Sequence, residues 1–162
     1  MALAYAPSAN VIPFSPMLRA GLTYLNRGWS VIPLRPGTKV PYKKAPDEMP
    51  DGWTPYQSRL ATEDELMDWC DRWPRMNLAI VTGPVSNLTI VDVDTEKGGL
   101  ESLAHIRELG IALPPTRIVA TPHGWHYYFR YHPDVPTDTK LLPGIDTRSR
   151  GGYVVAPPSR LA

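Results

Sequence analysis

The sequence predicts an α+β fold, a mixed and largely antiparallel sheet with helices packed on one side. Two observations carry that expectation. Segments rich in β-branched and aromatic residues dominate the chain after residue 76, and several of them alternate apolar with polar residues, as strands with one open face do. Helical periodicity is confined to three segments, two before residue 76 and one among the later strands.

The first 15 residues, MALAYAPSANVIPFS, carry neither periodicity and are expected to form a flexible lead-in. Ser15 and Pro16 read as an N-cap and first helical residue, and Leu18, Leu22 and Leu25 recur at helical spacing until Gly28 closes the segment. WSVIPL should be a strand, with Trp29 opening it. RPGTKVPYKKAPDEMPDGWTPYQS holds many of the chain's 19 prolines and is expected to be a long surface loop. Within it, Trp53 and Tyr56 are candidate base-stacking side chains, and Lys43 and Lys44 are read as solvated. Thr62 and Glu65 predict a capping box for a second helix, with Leu66, Trp69 and Trp73 on its buried stripe and Pro74 beyond its end.

Five further strands follow: NLAIVT, LTIVDVD, TRIVAT, WHYYFRY and GGYVVAP. Between the second and third of these, GGLESLAHIRELG predicts a helix buried through Leu100, Leu103, Ile106 and Leu109 and ended by Gly110.

A chain of 162 residues suits one domain with a proper core, here residues 16–162. No apolar run reaches the roughly 18 residues that cross a bilayer, so no membrane association is expected. No secretory signal is visible, and the single cysteine, Cys70, excludes an internal disulfide and a cysteine-based zinc cluster. A cytoplasmic protein is the expectation. Charge is uneven: +4 over residues 1–60, −6 over 61–112 and +3 over 113–162. Basic flanks bracket an acidic middle, which suits a nucleic-acid groove beside a cation-binding centre.

The acidic middle contains IVDVDT, where two aspartates sit in a strand that should disfavour them. Side chains alternate along a strand, so Asp92 and Asp94 share one face and Val91 and Val93 the other. The same parity puts His126 with Tyr128 against Trp125, Tyr127 and Phe129, and Asp146 with Arg148 against Ile145 and Thr147. If the three strands are neighbours, three carboxylates, an imidazole and a guanidinium converge, while the reverse face supplies apolar packing. Three ionised carboxylates need positive charge between them, and an oxygen-only set favours Mg²⁺ or Mn²⁺ over zinc.

Five blocks in this order, RGWSVIPLRPGTKVP, WCDRWPRMNLAIVTGP, IVDVDT, ATPHGWHYYF and GIDTRSRGGYVVAPPS, resemble the N-terminal primase/polymerase domain of plasmid and phage replication proteins. That domain is a branch of the archaeo-eukaryotic primase superfamily, and the resemblance runs from about Met17 to the last residue. It implies a DNA primase or DNA polymerase acting by two-metal phosphoryl transfer on single-stranded DNA template and primer, with nucleoside triphosphates as substrates. It also implies roles: Asp92, Asp94 and Asp146 as catalytic metal ligands for two ions, and His126, Arg148 and Lys39 as nucleotide-binding residues. Gly124 stands where the wider superfamily often has Ser. Such domains usually continue beyond APPSRLA and are joined to a helicase or accessory region, so the resemblance implies either a fragment truncated at its C-terminus or a stand-alone core.

Two rivals share some of these features. A non-catalytic module that binds single-stranded DNA would need the fold without turnover. A rolling-circle nuclease would need two histidines facing the same way, whereas the spacing of His123 and His126 in HGWH puts them on opposite faces of a continuous strand.

Overall fold

The computed structural model describes residues 15–162, so of the expected lead-in only Ser15 is seen, and it serves the first helix. Its hydroxyl accepts a hydrogen bond from the Leu18 N–H at 3.0 Å, and Pro16 opens α1 (Pro16–Asn26), where a missing N–H is harmless. Helix α2 (Glu63–Arg72) begins on the predicted capping box, with the Thr62 hydroxyl accepting from the Glu65 N–H and the Glu65 carboxylate accepting from the Thr62 N–H. Leu66 and Trp69 are buried, while Trp73 ends the helix and stacks on Tyr42 with ring centroids 3.8 Å apart. The two helices meet closely because Gly21 has no side chain: a Cβ there would stand 2.6 Å from the Leu66 Cδ2.

The strands form two sheets rather than one, and every strand pairing within them is antiparallel. The smaller has β2 (Asn77–Val81) between β1 (Val31–Leu34) and β8 (Tyr153–Ala156). Both β1 and β2 are buried at every residue, which explains their unbroken apolar runs, and Pro33 is tolerated because β1 is an edge strand. In the larger sheet β4 (Arg117–Thr121), β5 (Gly124–Arg130), β3 (Leu88–Asp94), β7 (Ile145–Arg148) and β6 (Asp138–Leu142) follow in that spatial order. Strand β6 is absent from the sequence expectations: its DTKLL run lacks alternation, and its pairing with β7 is irregular.

The core lies among α1, α2, the small sheet and the face of the large sheet that carries Leu88, Ile90 and Tyr128. These share parity with Asp92 and His126, which corrects the expectation that apolar packing comes from the reverse face. On that reverse face Val93 and Ile145 are buried, but Trp125, Tyr127 and Phe129 are half-buried and Ile118 is exposed. A single face of β3 and β5 is therefore apolar at one end and acidic at the other. The acidic end emerges into a cleft.

Two further expectations are corrected. The proline-rich segment is a loop, as expected, but it is anchored rather than lying wholly on the surface: Tyr42, Met49 and Tyr56 are buried in the core, and residues Thr54–Gln57 form a 3₁₀ turn. Tyr56 donates to Glu65 at 2.9 Å and Trp53 meets Tyr153 edge-on with centroids 5.3 Å apart, so both candidate stackers are packing residues. Helix α3 (Gly99–Glu108) does not bury its leucine stripe. Leu100 and Leu109 are exposed, and the helix instead docks through Gly99 and Ser102, whose hydroxyl donates to the Pro143 carbonyl at 2.7 Å. Small residues at the contact let it approach the end of β3. Among the described residues no helix is long and apolar enough to cross a membrane.

Candidate active site

Strand β3 is the middle of the site. Asp92 stands opposite His126 on one side and Asp146 on the other, Ile90 stands opposite Tyr128 and Arg148, and Asp94 stands opposite Gly124. Residues directly opposed across an antiparallel ladder share a face, so Asp92, Asp94, His126, Asp146 and Arg148 are brought together. The Asp92, Asp94 and Asp146 side chains are 27, 24 and 28% exposed.

The backbone closes tightly around Asp94. Gly124 adopts φ +155°, and a Cβ there would fall 1.8 Å from the Val93 carbonyl oxygen, so the close strand approach is available to glycine alone. Gly144, at φ +66°, accepts the Asp94 N–H at 2.8 Å, and its own Cβ would come within 2.6 Å of the Asp94 carbonyl oxygen.

Each acid has a local partner. Asp94 Oδ2 lies 2.7 Å from Lys97 Nζ, and its Oδ1 accepts the Glu96 N–H at 3.0 Å; the ammonium first, then that N–H, holds the carboxyl below the usual range. Lys97 is in turn raised, by Asp94 foremost and more weakly by Asp146 and Asp92. The ammonium thus senses all three carboxylates. Arg148 donates to Asp146 at 3.0 Å. His126 Nε2 is 3.5 Å from Asp92 Oδ1; burial lowers the imidazole pKa, Asp92 opposes that, and Lys39 and Arg148 reinforce it. Its Nδ1 is buried and has no hydrogen-bond partner among the described residues.

These pairings have a consequence for metal binding. Among the described residues no three His, Cys, Asp or Glu side chains close on one point, because Asp94 turns to Lys97, Asp146 to Arg148 and Asp92 toward His126. The side chains that could hold a divalent cation are the three aspartates, whose oxygens are the donors hard ions take.

A cleft of about 730 Å³ opens over this face. Asp92, Asp94, His126 and Arg148 line it from the large sheet, whereas Asp146 stands beside Asp92 in the ladder without lining the cleft. Lys39 enters from the opposite wall, where its carbonyl accepts the Tyr153 hydroxyl at 3.0 Å. Five of the six predicted site residues thus line the cleft, and Asp146 adjoins it only through its ladder partner Asp92. Sequence reasoning missed Lys97 and Arg160, and left His123 undecided. Lys97 is signalled only by its place three residues after Asp94, and Arg160 lines the cleft from the segment after β8. His123 lies on the rim, with Nδ1 3.0 Å from Glu96 Oε1.

No curated protein matches the chain. The family model "Bifunctional DNA primase/polymerase, N-terminal" matches residues 21–162, a span that takes in every strand and the whole cleft. The chain belongs to the bifunctional DNA primase/polymerase N-terminal family.

Proposed function

We propose that the chain catalyses template-directed nucleotidyl transfer, making or extending primers from nucleoside triphosphates on single-stranded DNA. The family supplies the general activity, DNA primase/polymerase, and with it DNA and nucleotides as substrates. The observation that carries the finer reading is the row His126, Asp92, Asp146 in register on one face of the large sheet, with His126 and Asp92 lining the cleft. A helicase working on the same strand is the partner such an activity implies.

Asp92, Asp94 and Asp146 would hold two Mg²⁺ or Mn²⁺ ions. Their fit rests on chemistry: the donors are all oxygens, opposed carboxylates at Asp92 and Asp146 repel, and the Lys97 ammonium already lends positive charge to all three acids. When bound, such ions activate the attacking hydroxyl and neutralise charge on the transferred and leaving phosphates.

The remaining residues bind and orient. Lys39 and Arg148 bracket a triphosphate, and the His126 ring adds a hydrogen-bonding group beside them. An unpartnered buried polar atom such as His126 Nδ1 costs about 1–3 kcal/mol, a cost a bound ligand can relieve. With the α-phosphate held in line, the primer 3′-oxygen bonds to phosphorus, the bond to the bridging oxygen breaks, pyrophosphate leaves with that electron pair, and the hydroxyl proton passes to water.

Primer extension in Mg²⁺ or Mn²⁺ is the test. Asp92→Ala with Asp94→Ala should lose about a thousand-fold or more in incorporation while circular dichroism stays unchanged. A double variant with full activity sinks the assignment. A wild-type chain that binds single strands and never incorporates would mark a non-catalytic module.

A further inference from the structure

A second groove, of about 700 Å³, lies beside the catalytic cleft, and no role has been given to it above. Helix α1 forms one wall. Arg19, Thr23 and Arg27 follow at four-residue spacing, so they lie along one face with Ala20 and Tyr24 between them. Strand β4 supplies Arg117, directly opposite Tyr128 of β5. The floor is aromatic: Trp29 sits between Tyr24 and Tyr128, with ring centroids 5.9 and 5.7 Å away. The sequence places Trp29 at the start of a strand, but β1 begins at Val31, and Trp29 instead lines this groove.

The charge here is unbalanced in a chain whose net charge is only +1. No Asp or Glu lines the groove, and none of Arg19, Arg27 and Arg117 pairs with a carboxylate among the described residues. Residues 1–14 contain no Asp or Glu that could do so. Arg27 lies over the Trp29 ring at 5.5 Å from its centroid, a cation–π contact that orients the guanidinium along the floor. The groove also runs into the cleft: Val119, Pro157 and Pro158 line both, and the Tyr24 hydroxyl clamps α1 to this shared wall by donating to the Pro157 carbonyl at 2.6 Å.

Guanidiniums without counter-ions above an aromatic floor suit a flexible polyanion carrying flat rings, because phosphates meet the arginines while bases stack. We infer that this groove is a track for single-stranded DNA, carrying the template past α1 into the catalytic cleft. The inference rests on the proposed polymerase reading for its direction, but the binding it requires needs neither metal nor turnover.

The test is fluorescence anisotropy with a labelled oligo(dT) strand in EDTA, using the whole chain. Arg19→Ala with Arg117→Ala should weaken binding about ten-fold or more, and should lower the slope of log K against log salt by about 1.4, at about 0.7 per lost phosphate contact. Arg75→Ala with Arg107→Ala removes the same charge from exposed positions outside the groove and should change neither quantity by as much as half. Binding in EDTA requires no incorporation, so a wild-type chain that holds oligo(dT) through the groove yet never extends a primer loses the catalytic assignment alone, and the two failures are told apart. Equal weakening by the two arginine pairs overturns the inference. So does displacement of the oligonucleotide by a matched concentration of free nucleoside triphosphate, which would make the groove a nucleotide site.

Discussion

Gly124 shows how much of the site is set by single atoms. It faces Asp94 across the β3–β5 ladder, and the Val93 carbonyl oxygen occupies the place where a Cβ would go. Backbone cannot yield there as a flexible side chain could, so Gly124→Ala should cost about 3 kcal/mol or more and lower Tm by about 10 °C. Thermal unfolding followed by circular dichroism measures this, and a fall under about 2 °C would show that the ladder relaxes freely. Gly124→Ser should behave alike. The shared face of Asp92, Asp94, His126, Asp146 and Arg148 was legible in the sequence because strand parity is fixed by covalent geometry. Lys97 was not legible. A long flexible side chain on a turn has no period, and its partners include carboxylates brought in by another strand.

Among the elements, those whose ends are written locally were read well and those defined by tertiary contact were not. The caps at Ser15 and Thr62 involve neighbours three residues away, so α1 and α2 start where expected. The α3 stripe satisfied helical spacing equally well, yet its docking face is decided by what fits against Gly144 and Pro143. Two substitutions contrast these cases. Leu109→Ser, at a residue 64% exposed, should change stability by less than about 0.5 kcal/mol, whereas a leucine on a buried stripe would lose about 2 kcal/mol or more. Glu65→Gln retains the capping box but loses the ion pair to Arg59, and should cost about 1–2 kcal/mol after solvent screening. Arg59 first, then the Thr62 N–H and the Tyr56 hydroxyl, hold the Glu65 carboxyl at about 2, below its ordinary 4.5. Its contribution is therefore complete above about pH 4.5 and fades as pH falls toward 2. Urea titrations should show the gap between wild type and Glu65→Gln closing over that window, and a constant gap would deny the ion pair.

On the scale of the molecule, the basic–acidic–basic order of the sequence becomes a place. Lys39 from the first segment, Asp92 and Asp94 from the second, and Arg148 and Arg160 from the third meet around one cleft between two sheets. The charge order was visible beforehand, but the convergence depends on β3 lying between β5 and β7, which no local pattern specifies. A divalent ion held by these acids should stabilise the fold, because a ligand that binds only the folded chain stabilises it by mass action. At a Mn²⁺ concentration 100 times its Kd the gain is about 2.7 kcal/mol, which for a chain of this length raises Tm by about 5–10 °C. The triple variant Asp92→Asn, Asp94→Asn, Asp146→Asn should lose that rise, and its metal-free Tm should fall modestly below wild type, since the Asp94–Lys97 and Asp146–Arg148 pairs are lost along with the repulsion across Asp92–Asp146. Scanning calorimetry with and without Mn²⁺ reads both quantities without reference to catalysis. Equal rises in the two proteins would place the ion elsewhere, and no rise in wild type would leave the acids to Lys97, Arg148 and His126 alone.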